Sequence, residues 1–298
     1  MKIVKFKGGL GNQMFQYAYA LLVKERTNED VYVDYSAYQD LDNDTVRVPR
    51  ISKFKLSLPP ATRNEISKIC KLRHDGNSQT FKYRVGVFLE GKINSKYFIE
   101  PNRAYIDPKK IADKSYFDGY WQSWRYVHEV KKQVKNEFIP NYELSEKTME
   151  TKKTMQSQNS VFIGVRRGDY GDEVAHYGSF GSEYYERAMA YIDARVENPI
   201  YYIFSNDIEW CKANIKWGNH IVEYREKEHQ TNDFEELILM ASCKHAIIVN
   251  SSYHWWGATL INNSQKIVVA PEKWFFDEKP IDIVPPEWTK IVSNANDN

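Results

Sequence analysis

The chain has 298 residues, with 41 Lys and Arg against 40 Asp and Glu, and 42% of it is hydrophobic. That length makes one large domain or two ordinary ones with a sizeable core, and a formal charge of +1 gives no bulk attraction to nucleic acid or to an anionic membrane surface. No apolar run reaches the roughly 18 residues of a spanning helix, and 14 Gly with 11 Pro are too few for a fibrous or low-complexity chain. The aromatic content of 14%, with 21 Tyr and 8 Trp, suits either faces that stack on sugars and bases or an aromatic core. Cys70, Cys211 and Cys243 are widely spaced and form no C-x-x-C pair, so neither a zinc site nor a disulfide framework is indicated and a reducing compartment is expected.

Lys2–Phe6 reads as a strand that starts almost at the first residue, with no apolar signal core or anchor before it, so a cytoplasmic setting is expected. In that setting the Asn-x-Ser matches at Asn250 and Asn262 are chance. The strand runs into Gly8-Gly9-Leu10-Gly11-Asn12, followed by a helical stripe of Met14, Phe15, Tyr17, Ala18, Leu21 and Leu22. Glycines before a helix N-terminus let the backbone approach an anion. The spacing matches neither the dinucleotide fingerprint nor a P-loop, so a plain tight turn fits equally well. Val31–Asp34 reads as a second buried strand. Residues 35–140 show mixed short helices, a Pro59-Pro60 break and an aromatic stretch from Tyr116 to Trp124. Asp42-Asn43-Asp44 has the D-x-D form that can hold a divalent cation, but no buried strand precedes it and a solvated loop is expected. Residues 141–160 are polar and read as a solvated helix leading into a linker, which places a domain boundary at 155/156.

Beyond it, apolar strands at 161–165, 200–204, 221–222, 245–249 and 266–270 alternate with helices at 182–196, 207–215, 234–243 and 253–262. That alternation predicts an α/β fold with a parallel sheet covered on both faces. Ligands of such sheets lie beyond the carboxyl ends of the strands. Polar clusters fall there. Arg166-Arg167-Gly168-Asp169-Tyr170 follows a buried strand, and paired arginines beside an Asp can fork onto phosphate oxygens or form a surface network. Ser205-Asn206-Asp207 reads first as a helix cap. Asn250-Ser251-Ser252-Tyr253-His254-Trp255-Trp256-Gly257 puts hydroxyls at a helix N-terminus, which is a phosphate cradle. Its tryptophans read as core. The seven histidines show no H-x-x-x-H spacing, so no metal site is expected.

Taken together, these clusters resemble glycosyltransferase family 11, the α-1,2-fucosyltransferases. The run 8–18, Val165–Tyr170 against an H-x-R-R-G-D-Y motif, Phe204–Ile215 and Asn250–Ala258 occur in the family's order. The resemblance implies a GT-B fold, with a 1–155 N-terminal acceptor-side Rossmann-like domain and a 156–298 C-terminal domain that binds GDP-fucose. It implies inverting transfer of L-fucose to the 2-hydroxyl of a galactose, without cofactor or bound metal. The partners implied are GDP-fucose and a galactose-containing oligosaccharide or lipid-linked glycan, and no nucleic acid. The setting implied is cytoplasmic or peripheral at the inner membrane face. By the same resemblance Arg166 grips the donor diphosphate, Arg167 and Asp169 organise its loop, and Gly9, Asn12 and Asp207 lie near the donor. Ser251 and Ser252 contact phosphate, and Asp233 reads guanine. Where the family has His two residues before the first Arg, this chain has Gly164, which leaves only backbone for the donor there. The base that takes the acceptor proton is open among Asp169, Asp172, Glu173 and His176. Alternatives are another linkage or donor on the same scaffold, or a carbohydrate-binding protein that has lost catalysis.

Overall fold

Two buried four-residue strands, β1 (Lys2–Lys5) and β2 (Val31–Asp34), flank α1 (Leu10–Thr27) and pair in parallel, Lys2 opposite Val31. The computed structural model describes residues 1–38, 49–70, 72, 81–167, 180–225, 232–276 and 282–293. Contacts divide the chain into two units, Met1–Tyr142 and Glu143–Asn298.

In the first unit α2 (Arg63–Ile69), α3 (Phe81–Ile93), β3 (Tyr97–Ile99), β4 (Tyr116–Asp118), α4 (Trp124–Glu129) and α5 (Lys131–Glu137) follow. The sheet order is β2-β1-β4-β3, and every pair is parallel. The expected stripe of α1 is buried, but so are Gln13, Gln16, Tyr19 and Ala20. The helix is therefore covered nearly all round and not on one face only. Tyr19 stacks on Trp121 with ring centroids 3.8 Å apart, and Tyr126 meets both rings edge-on. This part of the aromatic surplus fills the core.

The second unit begins with α6 (Glu146–Ser157), whose N-cap Ser145 and buried Thr148 both donate to Glu235. That anchoring explains why the division falls at 142/143, ahead of the expected 155/156. No linker follows the helix, because β5 (Ser160–Val165) starts at once. Then come α7 (Ser182–Asp193), β6 (Ile200–Ser205), α8 (Ile208–Asn214), β7 (Ile221–Tyr224), α9 (Asp233–Ser242), β8 (His245–Ile247), α10 (Ser252–Leu260), β9 (Val268–Pro271) and β10 (Thr289–Ile291). The sheet order is β10-β9-β8-β5-β6-β7, again all parallel. Val161, Ile163, Val165, Tyr184, Tyr185, Met189 and Ile203 are among the residues that pack between β5, β6 and α7. The chain thus adopts the expected α/β class, with two units each built on a Rossmann-like parallel sheet. Trp255 and Trp256 are buried, as are all three cysteines, none of them bridged. Burial pushes the Cys211 thiol up to about 11 and the Cys243 thiol up to about 12. Among the described residues, no helix is long and apolar enough to cross a membrane.

Candidate functional site

In the second sheet the chain runs outward from β5 to β6 and β7, then returns to the other side of β5 for β8, β9 and β10. The order reverses between β5 and β8, and the ground beyond the carboxyl ends of these two strands is where open parallel sheets take ligands. Arg166 leaves β5 at this point, and Asn250-Ser251-Ser252 leaves β8. Ser251 is the N-cap of α10 and accepts from the His254 N–H at 3.5 Å. Asn250 is buried and donates to the Trp274 carbonyl at 2.9 Å, which pins the turn before the helix. A helix N-terminus next to an arginine is a place where anionic charge is stabilised without a cation.

The two arginines do different things. Arg167 is fixed by a backbone exchange with Asn206: its N–H donates to Asn206 Oδ1 at 2.9 Å, and Asn206 Nδ2 donates back to its carbonyl. Its guanidinium lies 4.0 Å from the ring centroid of Trp210 on α8, a stacking arrangement suited to a planar cation. Asn206 is therefore a loop clamp and not only part of a cap. The capping role goes to Asp207, which accepts from the Trp210 N–H at 2.9 Å. Asp169, Asp172, Glu173 and His176 lie outside the described residues, as does Asp42-Asn43-Asp44.

Asp233 is the first residue of α9 and not its cap. Asn232 caps the helix, accepting from the Phe234 and Glu235 N–H groups at 3.1 and 3.2 Å. Of the carboxylates that follow, Glu235 accepts from Ser145 and Thr148, and Glu236 forms a buried bidentate pair with Arg225 at 2.9 and 3.2 Å. The Tyr253 hydroxyl donates to the Asp233 carbonyl, tying the first turn of α9 to that of α10. Gly164, at the penultimate position of β5, lies under the ring of His254. A Cβ at Gly164 would stand 2.5 Å from both Cγ and Nδ1 of that ring.

The first unit has its own strand-order reversal, between β1 and β4. Gly8 has φ +81, and the Tyr38 hydroxyl and Gln13 Nε2 hold its carbonyl at 2.8 and 3.1 Å. Gly9 is the N-cap of α1 and supplies no side chain, and a Cβ there would meet nothing within 4 Å. Asn12 accepts from Gln122 at 2.8 Å, and Gln16 donates to the Gly119 carbonyl at 3.2 Å, so both loops of the reversal are braced together.

Sequence reasoning missed the charged groups here. Lys7 pairs with Asp118 at 2.6 Å, and Tyr97 donates to the same carboxylate at 2.7 Å. Burial would raise the Asp118 carboxyl, but Lys7 and Lys5 outweigh it and hold the group at about 2. Glu100 follows β3 by one residue. Its Oε2 accepts from the Tyr120 and Trp121 N–H groups at 2.7 and 3.1 Å, while its Oε1 is buried without a hydrogen bond. Burial keeps this carboxyl above its ordinary value despite those two donors. Trp121 takes φ +55, a backbone conformation rare for a bulky residue, and the Glu100 contact and the Tyr19 stack hold it there. Only three-dimensional pairing across β1, β3 and β4 could have brought these residues together.

A sequence profile of the family described as "Glycosyl transferase family 11" matches residues 1–292. The chain is 29% identical to an alpha-1,2-colitosyltransferase of Escherichia coli over 97% of this chain and 98% of that protein. It is 26% identical to the O-antigen biosynthesis glycosyltransferase WbnK of Escherichia coli, over 95% and 98% of the two chains. A galactoside alpha-(1,2)-fucosyltransferase 1 of Leontocebus fuscicollis is 28% identical over 60% of this chain, and the match spans 53% of that longer protein.

Proposed function

The chain belongs to glycosyltransferase family 11, and from that premise we propose that it transfers L-fucose from GDP-fucose to the 2-hydroxyl of a galactose residue, with inversion at the anomeric carbon. The observation that carries this reading is the placement of Arg166 directly after β5 at the β5/β8 reversal, near enough to the Ser251-capped first turn of α10 for its charge to act on His254. Breaking the sugar–phosphate bond leaves negative charge on the departing diphosphate. Arg166 supplies a fork of N–H donors to it, and the first turn of α10 supplies backbone donors. Asp233, relieved of capping by Asn232, is positioned one turn-to-turn link from this cradle and accepts from the guanine edge in this reading. The proton of the acceptor hydroxyl goes to a carboxylate or a His. The candidates remain Asp169, Asp172, Glu173 and His176.

A second reading changes the donor sugar. The relative named for colitose transfer matches over nearly the whole of both chains, whereas the one named for fucose transfer matches over 60% of this chain. Titration with GDP, followed by turnover of GDP-fucose and of nucleotide-activated colitose on galactose-terminated sugars, tests both. Product formation from fucose with a galactose acceptor supports the first. Turnover of colitose alone replaces it with the second. Binding of GDP-sugar without any transfer points to the carbohydrate-binding alternative.

A further inference from the structure

His254 lies on the first turn of α10 and is 4% exposed, and its Nδ1 is buried with no hydrogen-bond partner. An orphaned polar atom in a core forfeits its hydration without replacement and calls for an explanation. The ring is held over the Gly164 backbone, in the space where any side chain at 164 would begin. Gly164 and His254 therefore exclude each other's bulk: a ring can enter this corner of the β5/β8 crevice from the strand or from the helix, but not from both. In this chain, the sequence motif that ends in Arg166 lacks its ring at 164, and the opposite wall of the same crevice carries one at 254.

We infer that His254 is a donor-binding residue, delivering across Gly164 the imidazole N–H that hydrogen-bonds the diphosphate of the nucleotide beside Arg166. The assignment rests on the nucleotide-sugar reading given above. Burial, reinforced by the nearby Arg166 charge, holds the His254 imidazole at about 3 and so keeps it neutral. A neutral ring donates a hydrogen bond without adding a second cation against Arg166. The buried nitrogen without a partner fits this role, because departures from local packing rules gather at functional positions.

GDP is the probe, titrated calorimetrically into the full chain and into three variants. His254→Phe keeps an aromatic ring without a nitrogen. The expected result is a melting temperature at or above that of the parent, because a buried orphan is removed, with roughly tenfold weaker GDP binding, about 1.4 kcal/mol. A residue that merely filled space would leave affinity unchanged, so a folded Phe variant with parental affinity overturns the assignment. Should that variant not fold, the decision passes to His254→Ala against the double variant His254→Ala with Gly164→His. Recovery of most of the affinity when the ring returns from the strand side supports the exchange of positions, and no recovery overturns it. A parent chain that binds no GDP removes the nucleotide reading itself and this assignment with it, whereas a binding parent with an indifferent Phe variant defeats the assignment alone.

Discussion

Asn12 Oδ1 accepts a hydrogen bond from Gln122 Nε2 at 2.8 Å, joining the first turn of α1 to the loop after β4. The same Asn12 side chain packs against Gly8, where a Cβ would stand 2.5 Å from Asn12 Nδ2 and the backbone has φ +81. Gly8→Ala must both adopt a left-handed conformation and push Asn12 away from Gln122. We expect a loss of about 1–3 kcal/mol of stability, read as a lower midpoint in thermal or urea denaturation. A variant that melts with the parent would show that this turn relaxes without cost.

Arg166→Lys keeps the charge and loses the planar fork. The expected outcome is at least a tenfold fall in kcat/KM for GDP-fucose, about 1.4 kcal/mol of transition-state stabilisation, with an unchanged melting temperature. Near-parental turnover in the folded Lys variant would take Arg166 out of the reaction.

Asn232 rather than Asp233 caps α9, so Asp233→Asn leaves the helix end intact. Stability should be unchanged. GDP binding should weaken by roughly 1.5–3 kcal/mol, because an amide presents a donor to guanine's own donors where a carboxylate accepts from both. Isothermal titration showing parental affinity would dismiss Asp233 as the base reader.

Transfer should persist in excess EDTA, since cationic and backbone donors take the phosphate-neutralising role in the proposed site. Asp42→Ala combined with Asp44→Ala should be close to silent in the same assay. Activity abolished by chelation and restored by Mn²⁺ or Mg²⁺ would contradict this.

His254 also gives the fold a pH signature. Its pKa is about 3 in the folded chain against an ordinary 6.5, so the unfolded chain takes up a proton that the folded one refuses. The stability tied to its neutral form is whole above about pH 6.5 and is lost as pH falls toward 3, at a limiting slope of about 1.4 kcal/mol per pH unit. Between pH 7 and 5 the parent should therefore lose more thermal stability than His254→Phe. Parallel curves for the two proteins would show that the imidazole is not kept neutral.

Much of the second unit was legible because its strands are uninterrupted apolar runs, such as Val161–Val165 and Ile200–Phe204, set between helices with their own caps. The short strands β3, β4 and β10 carry three residues each, too few for a period to register. On α1 the apolar spacing gave one face, yet Gln13 and Gln16 are also buried because they bond the backbone at Gly8, Lys7 and Gly119. The site was legible where its members are contiguous, as in Arg166-Arg167 and Ser251-Ser252. It was not where the relation is spatial: Asn206 clamping Arg167, Glu100 under the Trp121 turn, and His254 above Gly164 join residues that no local spacing connects.

The strand order of the second sheet also decides when this site can come into being during synthesis. Val161 pairs with His245, and Ala246 pairs in turn with Val268. Arg166 therefore leaves the ribosome long before the strand that forms the other wall of its crevice. β5, β6 and β7 can associate early as a growing sheet edge, but β5 must keep its other edge unpaired until β8 arrives. Such late, distant pairing is slow and leaves a strand edge open to other chains. A nascent chain halted before β8 would have both arginines and no crevice, so the crevice is acquired in one late step rather than accumulated along the chain.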